Sequence, residues 1–128
     1  MYISIDLGGT NTRVAVSRDL KSISEHIKVR TQQNVALEKN LIKECVGKLS
    51  EGNEIKGICI GVPGFVKKSE KKLGKIVNIP SFSELPFTEV VGNLVGEDKI
   101  LAENDATLAG LGEAVFGAGK EYEVVAYL

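Results

Sequence analysis

The sequence predicts an α/β domain built on a mixed sheet whose first three strands are antiparallel. Residues 2–7 and 12–16 alternate apolar and other side chains on either side of a Gly-Gly turn, which is the pattern of a β-hairpin. A third alternating run, residues 23–29, extends the hairpin into a meander. A helical pattern followed by a nearly continuous apolar run then indicates a crossover to another strand of the same sheet.

The length and composition are those of one globular domain. The chain has 128 residues, 43% of them apolar, and its net charge is −1 with acids and bases interspersed. That distribution gives no electrostatic case for binding nucleic acid or an acidic membrane surface. Cys45 and Cys59 lack metal-ligand spacing and are predicted to be buried and reduced, as in a cytoplasmic protein. No apolar stretch reaches transmembrane length, and the lysine-rich segment 67–75 is interpreted as a solvated loop.

The first helix and the strand after it have clear local signals. Asn34 is a suitable N-cap for a helix that runs to about Ser50, with apolar residues recurring on one face. Gly52 then breaks the helix. Residues 55–62 are almost continuously apolar, which predicts a strand covered on both faces.

The second half of the chain predicts shorter elements. Residues 65–66 and 73–77 are expected to form a small ribbon, and Pro86 is placed in the first turn of a helix that ends near Gly96. A strand over 99–103 leads into a third helix that ends near Phe116. Residues 124–128 predict one more apolar strand, and because the chain stops inside it, the chain is expected to be part of a longer protein.

The turn of the opening hairpin is a candidate phosphate site. Gly8 and Gly9 tolerate positive φ and let backbone N–H groups approach an anionic oxygen, while Thr10 and Asn11 add donors. Asp6 is placed to hold a hydrated Mg²⁺ beside the phosphates. The alternative is a structural turn with a solvated Asp6. The segment fits neither the Walker loop nor the dinucleotide motif, because a strand follows the glycines; it points to an actin-like or hexokinase-like nucleotide site.

A second group of polar residues lies at the predicted junction between the 99–103 strand and the third helix. Asn104 and Asp105 are candidate helix N-caps, but Asp105 is also a candidate general base, with Asn104 orienting a substrate hydroxyl. The bend at 61–64, which contains Gly64, lies at the same carboxyl-end edge of the sheet and is either a ligand-binding bend or a structural turn. Together with the hairpin, this placement favours Asp105 as the base.

Four segments in this order and spacing, 6–11, 61–64, 78–80 and 103–106, resemble the ROK family of sugar kinases, particularly bacterial glucokinases. The resemblance implies the ribonuclease-H-like fold of the actin and hexokinase superfamily. It also implies ATP-dependent phosphorylation of a hexose 6-hydroxyl. By position, it assigns Asp105 as the catalytic base and Asn104, Gly64 and Asn78 to the sugar. The residues that it places at the ATP phosphates and Mg²⁺ are Asp6, Gly8, Gly9, Thr10 and Asn11.

The resemblance also sets expectations for the whole chain. Members of the family continue into a second phosphate loop, a sugar-binding motif, a zinc site and the adenosine pocket, so residues 1–128 are expected to be the N-terminal domain and inactive alone. Uncovered apolar surface is then expected to produce a homo-oligomer. The alternatives are a fructokinase, a mannokinase, an N-acetylhexosamine kinase, a sugar-sensing ROK-type transcriptional regulator, and a sensing or assembly module without chemistry.

Overall fold

The structure, a computed structural model, describes residues 1–128. Its strands are β1 (Tyr2–Leu7), β2 (Asn11–Ser17), β3 (Glu25–Arg30), β4 (Gly57–Val62), β5 (Val66–Lys67), β6 (Lys72–Leu73) and β7 (Ile100–Asn104). The main sheet has five strands in the order β3-β2-β1-β4-β7, and β5 pairs with β6 separately. The pairs β1–β2 and β2–β3 are antiparallel, whereas β4 is parallel to both β1 and β7. The predicted mixed sheet with antiparallel β1-β2-β3 is confirmed.

The helices are α1 (Val35–Ser50), α2 (Phe87–Val90) and α3 (Asp105–Phe116), with short 3₁₀ turns at Lys68–Glu70, Pro80–Phe82 and Glu97–Lys99. The predicted cap of α1 is confirmed, because the Asn34 side chain accepts a hydrogen bond from the Leu37 N–H at 3.1 Å. No helix is both long and apolar enough to cross a membrane.

The hydrophobic core lies on one face of the main sheet. Alternate residues of the central strands, such as Ile5 and Ile60, are buried there against Ile42 and Val46 of α1. Cys45 is buried as predicted. The strand β4 is covered on both faces only toward its carboxyl end, where Leu108 of α3 packs against Gly61. Cys59, nearer the start of the strand on the face opposite α1, is only half-buried.

The opposite face of the sheet carries an open apolar groove of about 730 Å³. Its floor includes Tyr2, Ala15 and Cys59, and Phe116 from the end of α3 lies at its border. Leu101 in this groove is 73% exposed. The helix α3 packs mainly against β4 and β7, and the part of this face formed by β1 and β2 lines the open groove.

Two elements are shorter than predicted. The helix after Pro86 is a single turn, because the chain adopts left-handed conformations at Gly92 (φ 65°) and Asn93 (φ 57°). The small ribbon pairs β5 with β6 and does not continue to residue 77. Its backbone leaves the pairing because the Ile76 N–H instead donates to the Ser83 hydroxyl at 3.0 Å.

The predicted strand over residues 124–128 is wrong. These residues have no regular structure and pair with no strand, although β7 is an edge strand with one unpaired side. They fold back so that Tyr127 packs against Gly110 of α3 and Val125 against Gly119, just beyond the end of that helix. A strand forms only where its backbone pairs with another strand, and an apolar pattern does not show whether the segment reaches one.

Candidate active site

The predicted site residues meet at one edge of the main sheet. Asp6 of β1 is paired with Gly61 of β4, and Gly61 is paired with Glu103 of β7. Adjacent strands are about 4.8 Å apart, so the Asp6 and Glu103 backbones are separated by roughly 10 Å. The hairpin turn after β1 and the junction between β7 and α3 therefore lie on either side of the bend that follows β4.

The hairpin turn, residues 8–10, is compact and packs against a second predicted site residue. The Gly8 N–H donates to the Asn11 carbonyl at 3.1 Å. The expectation that Gly8 and Gly9 are needed for positive φ is wrong. The glycines with positive φ are Gly52 and Gly92, and neither lies in this turn.

Close packing is the reason for glycine in this turn. A Cβ on Gly8 would lie 2.8 Å from the Asn11 carbonyl oxygen, and a Cβ on Gly9 would lie 2.8 Å from the Cβ of Asn78. Such distances are too short for any side chain. Asn78, predicted from the resemblance to contact the sugar, is thus held directly against the turn.

The turn presents unpaired hydrogen-bond donors at the protein surface. The backbone N–H groups of Gly9 and Thr10 donate no hydrogen bond within the chain, and neither does the Thr10 hydroxyl. Consecutive free N–H groups in a turn are the usual way in which backbone binds an anion. The turn therefore leaves donors free for an anion, and its use for phosphate stays a prediction.

Asp6 lies beside the turn and forms an ion pair with its cross-strand neighbour. Arg13 donates from a guanidinium nitrogen to Asp6 Oδ2 at 2.7 Å, and the side chains of Arg13 and Asp6 are 51% and 43% exposed. Oδ1 of Asp6 accepts no hydrogen bond from the protein. One accessible carboxylate oxygen fits Mg²⁺, which commonly keeps several waters and takes its remaining ligands from one or two carboxylates and from phosphates.

Asn104 and Asp105, the two polar residues at the junction between β7 and α3, have different roles. Asn104 is the N-cap of α3, because its side-chain oxygen accepts from the Thr107 N–H at 3.2 Å. Its amide nitrogen donates to the Gly64 carbonyl at 3.1 Å. Asp105 is exposed, and its Oδ1 accepts only from the Ala106 N–H, at 2.8 Å. The cap falls on Asn104, which leaves the Asp105 carboxylate free to contact a substrate.

The Gly64 bend joins the ribbon to this junction. A Cβ on Gly64 would lie 2.9 Å from the Lys75 carbonyl oxygen, so the backbone segments pack without room for a side chain. The hydrogen bond from Asn104 then ties the bend to the start of α3. Gly64, Asn104 and Asp105 are brought together as expected, whereas Asn78 lies on the hairpin side of the site.

A lysine–glutamate pair beside the junction was missed by the sequence analysis. Lys68 forms an ion pair with Glu103 Oε2, and the Asn104 N–H donates to Glu103 Oε1 at 2.9 Å. The Lys68 ammonium, followed by the Asn104 N–H, holds the pKa of Glu103 below its ordinary value of 4.5. The lysine-rich segment gave no signal for this partner, because any of its lysines fits a solvated loop.

Replacing Lys68 with Met is expected to raise the pKa of Glu103 toward its ordinary value. In the wild type the folded-state pKa is depressed, so the pair stabilises the fold above pH 4.5 and this stabilisation is lost as the pH falls through the folded-state pKa. Carboxyl NMR titration of both proteins measures the shift. Lys71→Met is the matched control, since Lys71 pairs with Glu97 instead. Identical Glu103 titrations in Lys68→Met and the wild type would contradict the assignment.

The sheet order, the glycine turn after β1 and the free carboxylate at the start of α3 together define a protein with the fold of the hexokinase superfamily. Comparison with protein families gives the same result in more detail. The model of the ROK family matches residues 2–128. The chain belongs to the ROK family.

Relatives of this chain include glucokinases. The glucokinase of Thermotoga maritima is 31% identical over 130 residues, a match that covers 98% of this chain and 40% of that protein. The structure of a ROK family glucokinase from Streptomyces griseus in complex with glucose and AMPPNP superimposes with a TM-score of 0.79 at 28% identity, covering 95% of this chain and 38% of that one. A ROK hexokinase from Thermus thermophilus gives a TM-score of 0.77 at 25% identity, covering 94% and 40%. The chain spans about 40% of the length of these relatives.

Proposed function

We propose that this chain is the N-terminal domain of an ATP-dependent hexose kinase, with glucose as the substrate and its 6-hydroxyl as the acceptor. The observation that carries the proposal is the pairing of two features across one sheet edge. The turn after β1 offers unpaired N–H groups of Gly9 and Thr10, and Asp105 offers an exposed carboxylate at the start of α3. The glucokinase relatives and the neighbour with bound glucose and AMPPNP support the choice of substrates.

In the proposed mechanism, the hairpin binds the phosphates of ATP. The free N–H groups of Gly9 and Thr10 donate to phosphate oxygens, and the side chains of Thr10 and Asn11 add further hydrogen bonds. Mg²⁺, when bound near Asp6, neutralises negative charge on the phosphates. Arg13 holds the Asp6 carboxylate through Oδ2 at 2.7 Å, and Oδ1 is the oxygen that would be available to hold a hydrated Mg²⁺.

Asp105 acts as the general base in this mechanism. Its carboxylate accepts the proton of the sugar 6-hydroxyl while the hydroxyl oxygen attacks the γ-phosphorus of ATP. A bond forms between that oxygen and phosphorus, the bond to the β-phosphate oxygen breaks, and ADP leaves. Phosphoryl transfer of this kind needs chiefly positioning and charge neutralisation from the protein. Asn104, Gly64 and Asn78 are proposed to contact the sugar.

The proposal is tested by comparing this chain with a chimera in which it replaces the matching part of the Thermotoga maritima glucokinase. The chimera is expected to phosphorylate glucose with ATP, and the 128-residue chain is expected to be inactive because its site lacks the remaining ATP and sugar contacts. Fructose, mannose and N-acetylmannosamine serve as competing substrates. A folded chimera that binds glucose and AMPPNP without transferring phosphate contradicts the proposal, and so does turnover by the chain alone.

We further propose that the isolated chain associates with a second copy through the apolar groove, in the reducing environment of the cytoplasm. Large exposed apolar patches favour association, and Leu101, which lines the groove on the edge strand β7, is 73% exposed. Sedimentation equilibrium is expected to show a dimer or larger species for the wild type and a monomer for Leu101→Lys. Lys28→Ala, on the edge strand β3, is the control. A wild-type chain that remains monomeric at high concentration counts against self-association.

A further inference from the structure

A buried carboxyl group lies beneath the hairpin turn and has no part in the mechanism above. Glu38, in the first turn of α1, is 0% exposed and is the only acidic or basic residue in the buried set. No lysine, arginine or histidine pairs with it. Its two oxygens accept hydrogen bonds from the Thr12 hydroxyl and from the Gln32 N–H, the second at 2.7 Å. Both donors belong to segments that contact the turn.

The segment just before α1, residues 31–33, donates a hydrogen bond to each carbonyl group of the turn. The Thr31 hydroxyl donates to the Gly8 carbonyl at 2.7 Å, and the Thr31 N–H donates to the Thr10 carbonyl at 3.0 Å. The Gln33 side-chain amide donates to the Gly9 carbonyl at 3.1 Å. With all three carbonyls turned toward residues 31–33, the N–H groups of Gly9 and Thr10 are left without partners inside the protein.

Glu38 fixes the position of residues 31–33 through hydrogen bonds. It binds the backbone of Gln32 directly, and it binds Thr12, whose hydroxyl oxygen lies 3.0 Å from that of Thr31. Thr12 and Thr31 are themselves buried. A buried polar group without a partner is costly, so these hydrogen bonds specify one arrangement of residues 31–33 over others.

We propose that Glu38 is a positioning residue for phosphate binding, acting through residues 31–33 to keep the free N–H groups of the turn directed at the nucleotide. The proposal rests on the proposed function for its ligand. It assigns to the start of α1 a role in nucleotide affinity, although no atom of Glu38 reaches the site. Preorganised donors bind an anion without the cost of ordering the turn on binding.

The test combines kinetics of the chimera with NMR of the 128-residue chain. Glu38→Ala and Thr31→Val are each expected to raise the KM for ATP by about tenfold, the loss expected for one buried hydrogen bond, with the KM for glucose unchanged. Glu38→Gln keeps an acceptor for the Gln32 N–H and a polar group at Thr12, and is expected to restore most of the affinity. Glu44→Ala, at an exposed position of the same helix, is the matched control.

The NMR readout separates this inference from the proposed function. In the chain alone, Thr31→Val is expected to shift and broaden the amide signals of residues 8–11 and to leave those of residues 104–107 unchanged. If the chimera is inactive but the hairpin signals respond, the proposed function fails, whereas the ordering of the turn by residues 31–33 stands. Unchanged hairpin signals in Thr31→Val, or a lower stability of Glu38→Ala with an unchanged KM for ATP, would overturn the positioning role. Thr31→Val keeps the shape of the side chain and removes only its hydroxyl group. It therefore still tests the positioning role if Glu38→Ala does not fold.

Discussion

Replacing Asp105 with Asn is expected to lower the kcat of the chimera by about 10²–10⁴-fold, the usual contribution of a general base. The KM values for ATP and glucose should change little, because Asn keeps the size of the side chain and removes only its ability to take a proton. Asn104 already caps α3, so the substitution leaves the helix start intact. Steady-state phosphorylation assays at saturating glucose and ATP measure the effect.

Asp98→Asn provides the matched control for that experiment. Asp98 lies in the 3₁₀ turn before β7, outside the site, and its substitution is expected to leave kcat within about twofold of the wild type, as is usual for surface changes. If Asp105→Asn retains wild-type kcat while the control behaves as expected, Asp105 is not the base, and its carboxylate has only a structural role at the start of α3.

Replacing Gly9 with Ala is expected to reduce both stability and nucleotide affinity. The added Cβ would lie 2.8 Å from the Asn78 Cβ, and relieving such overpacking costs about 1–3 kcal/mol. The turn must move away from Asn78, which misdirects its free N–H groups. Urea unfolding of the 128-residue chain measures the first effect, and AMPPNP titration of the chimera measures the second, where a loss of about tenfold or more is expected.

Gly47→Ala is the control for this substitution, because it lies in the interior of α1 with open space around its Cα. It is expected to stabilise the chain by about 0.5–1 kcal/mol through helix propensity. The double variant Gly9→Ala with Asn78→Gly removes the opposing Cβ and is expected to recover stability. If Gly9→Ala is as stable as the wild type, the turn does not depend on its contact with Asn78.

Local sequence patterns predicted the elements that depend on neighbouring residues. The cap at Asn34 and the apolar face of α1 were both identified correctly, because a helix of this length is specified by its own periodicity and ends. The opening hairpin was also correct in outline. The length of the helix after Pro86 was overestimated, because the local sequence pattern does not show the left-handed backbone at Gly92 and Asn93.

For the candidate site, turn chemistry identified the residues but not always the reason for them. Gly8 and Gly9 were singled out correctly as the turn, yet close packing and not positive φ explains them. Glu38 was missed, although one signal was present. It occupies a position in the apolar stripe of α1, four residues before the buried Ile42, where an acid is unusual and calls for a partner.

By itself, the sequence determined the mixed sheet, the first helix and the residues that surround the candidate site, since these depend on short-range periodicity, caps and turns. Only the tertiary structure decided which groups the site leaves free. Asn104 takes the cap and Asp105 stays exposed, residues 31–33 take the carbonyls of the turn, and residues 124–128 find no strand to join. The cap is a choice between two adjacent residues with the same local signal, which the bond from Asn104 to the distant Gly64 carbonyl accompanies. The carbonyls of the turn and residues 124–128 depend on contacts with segments far away in the sequence, and local patterns carry no information about such contacts.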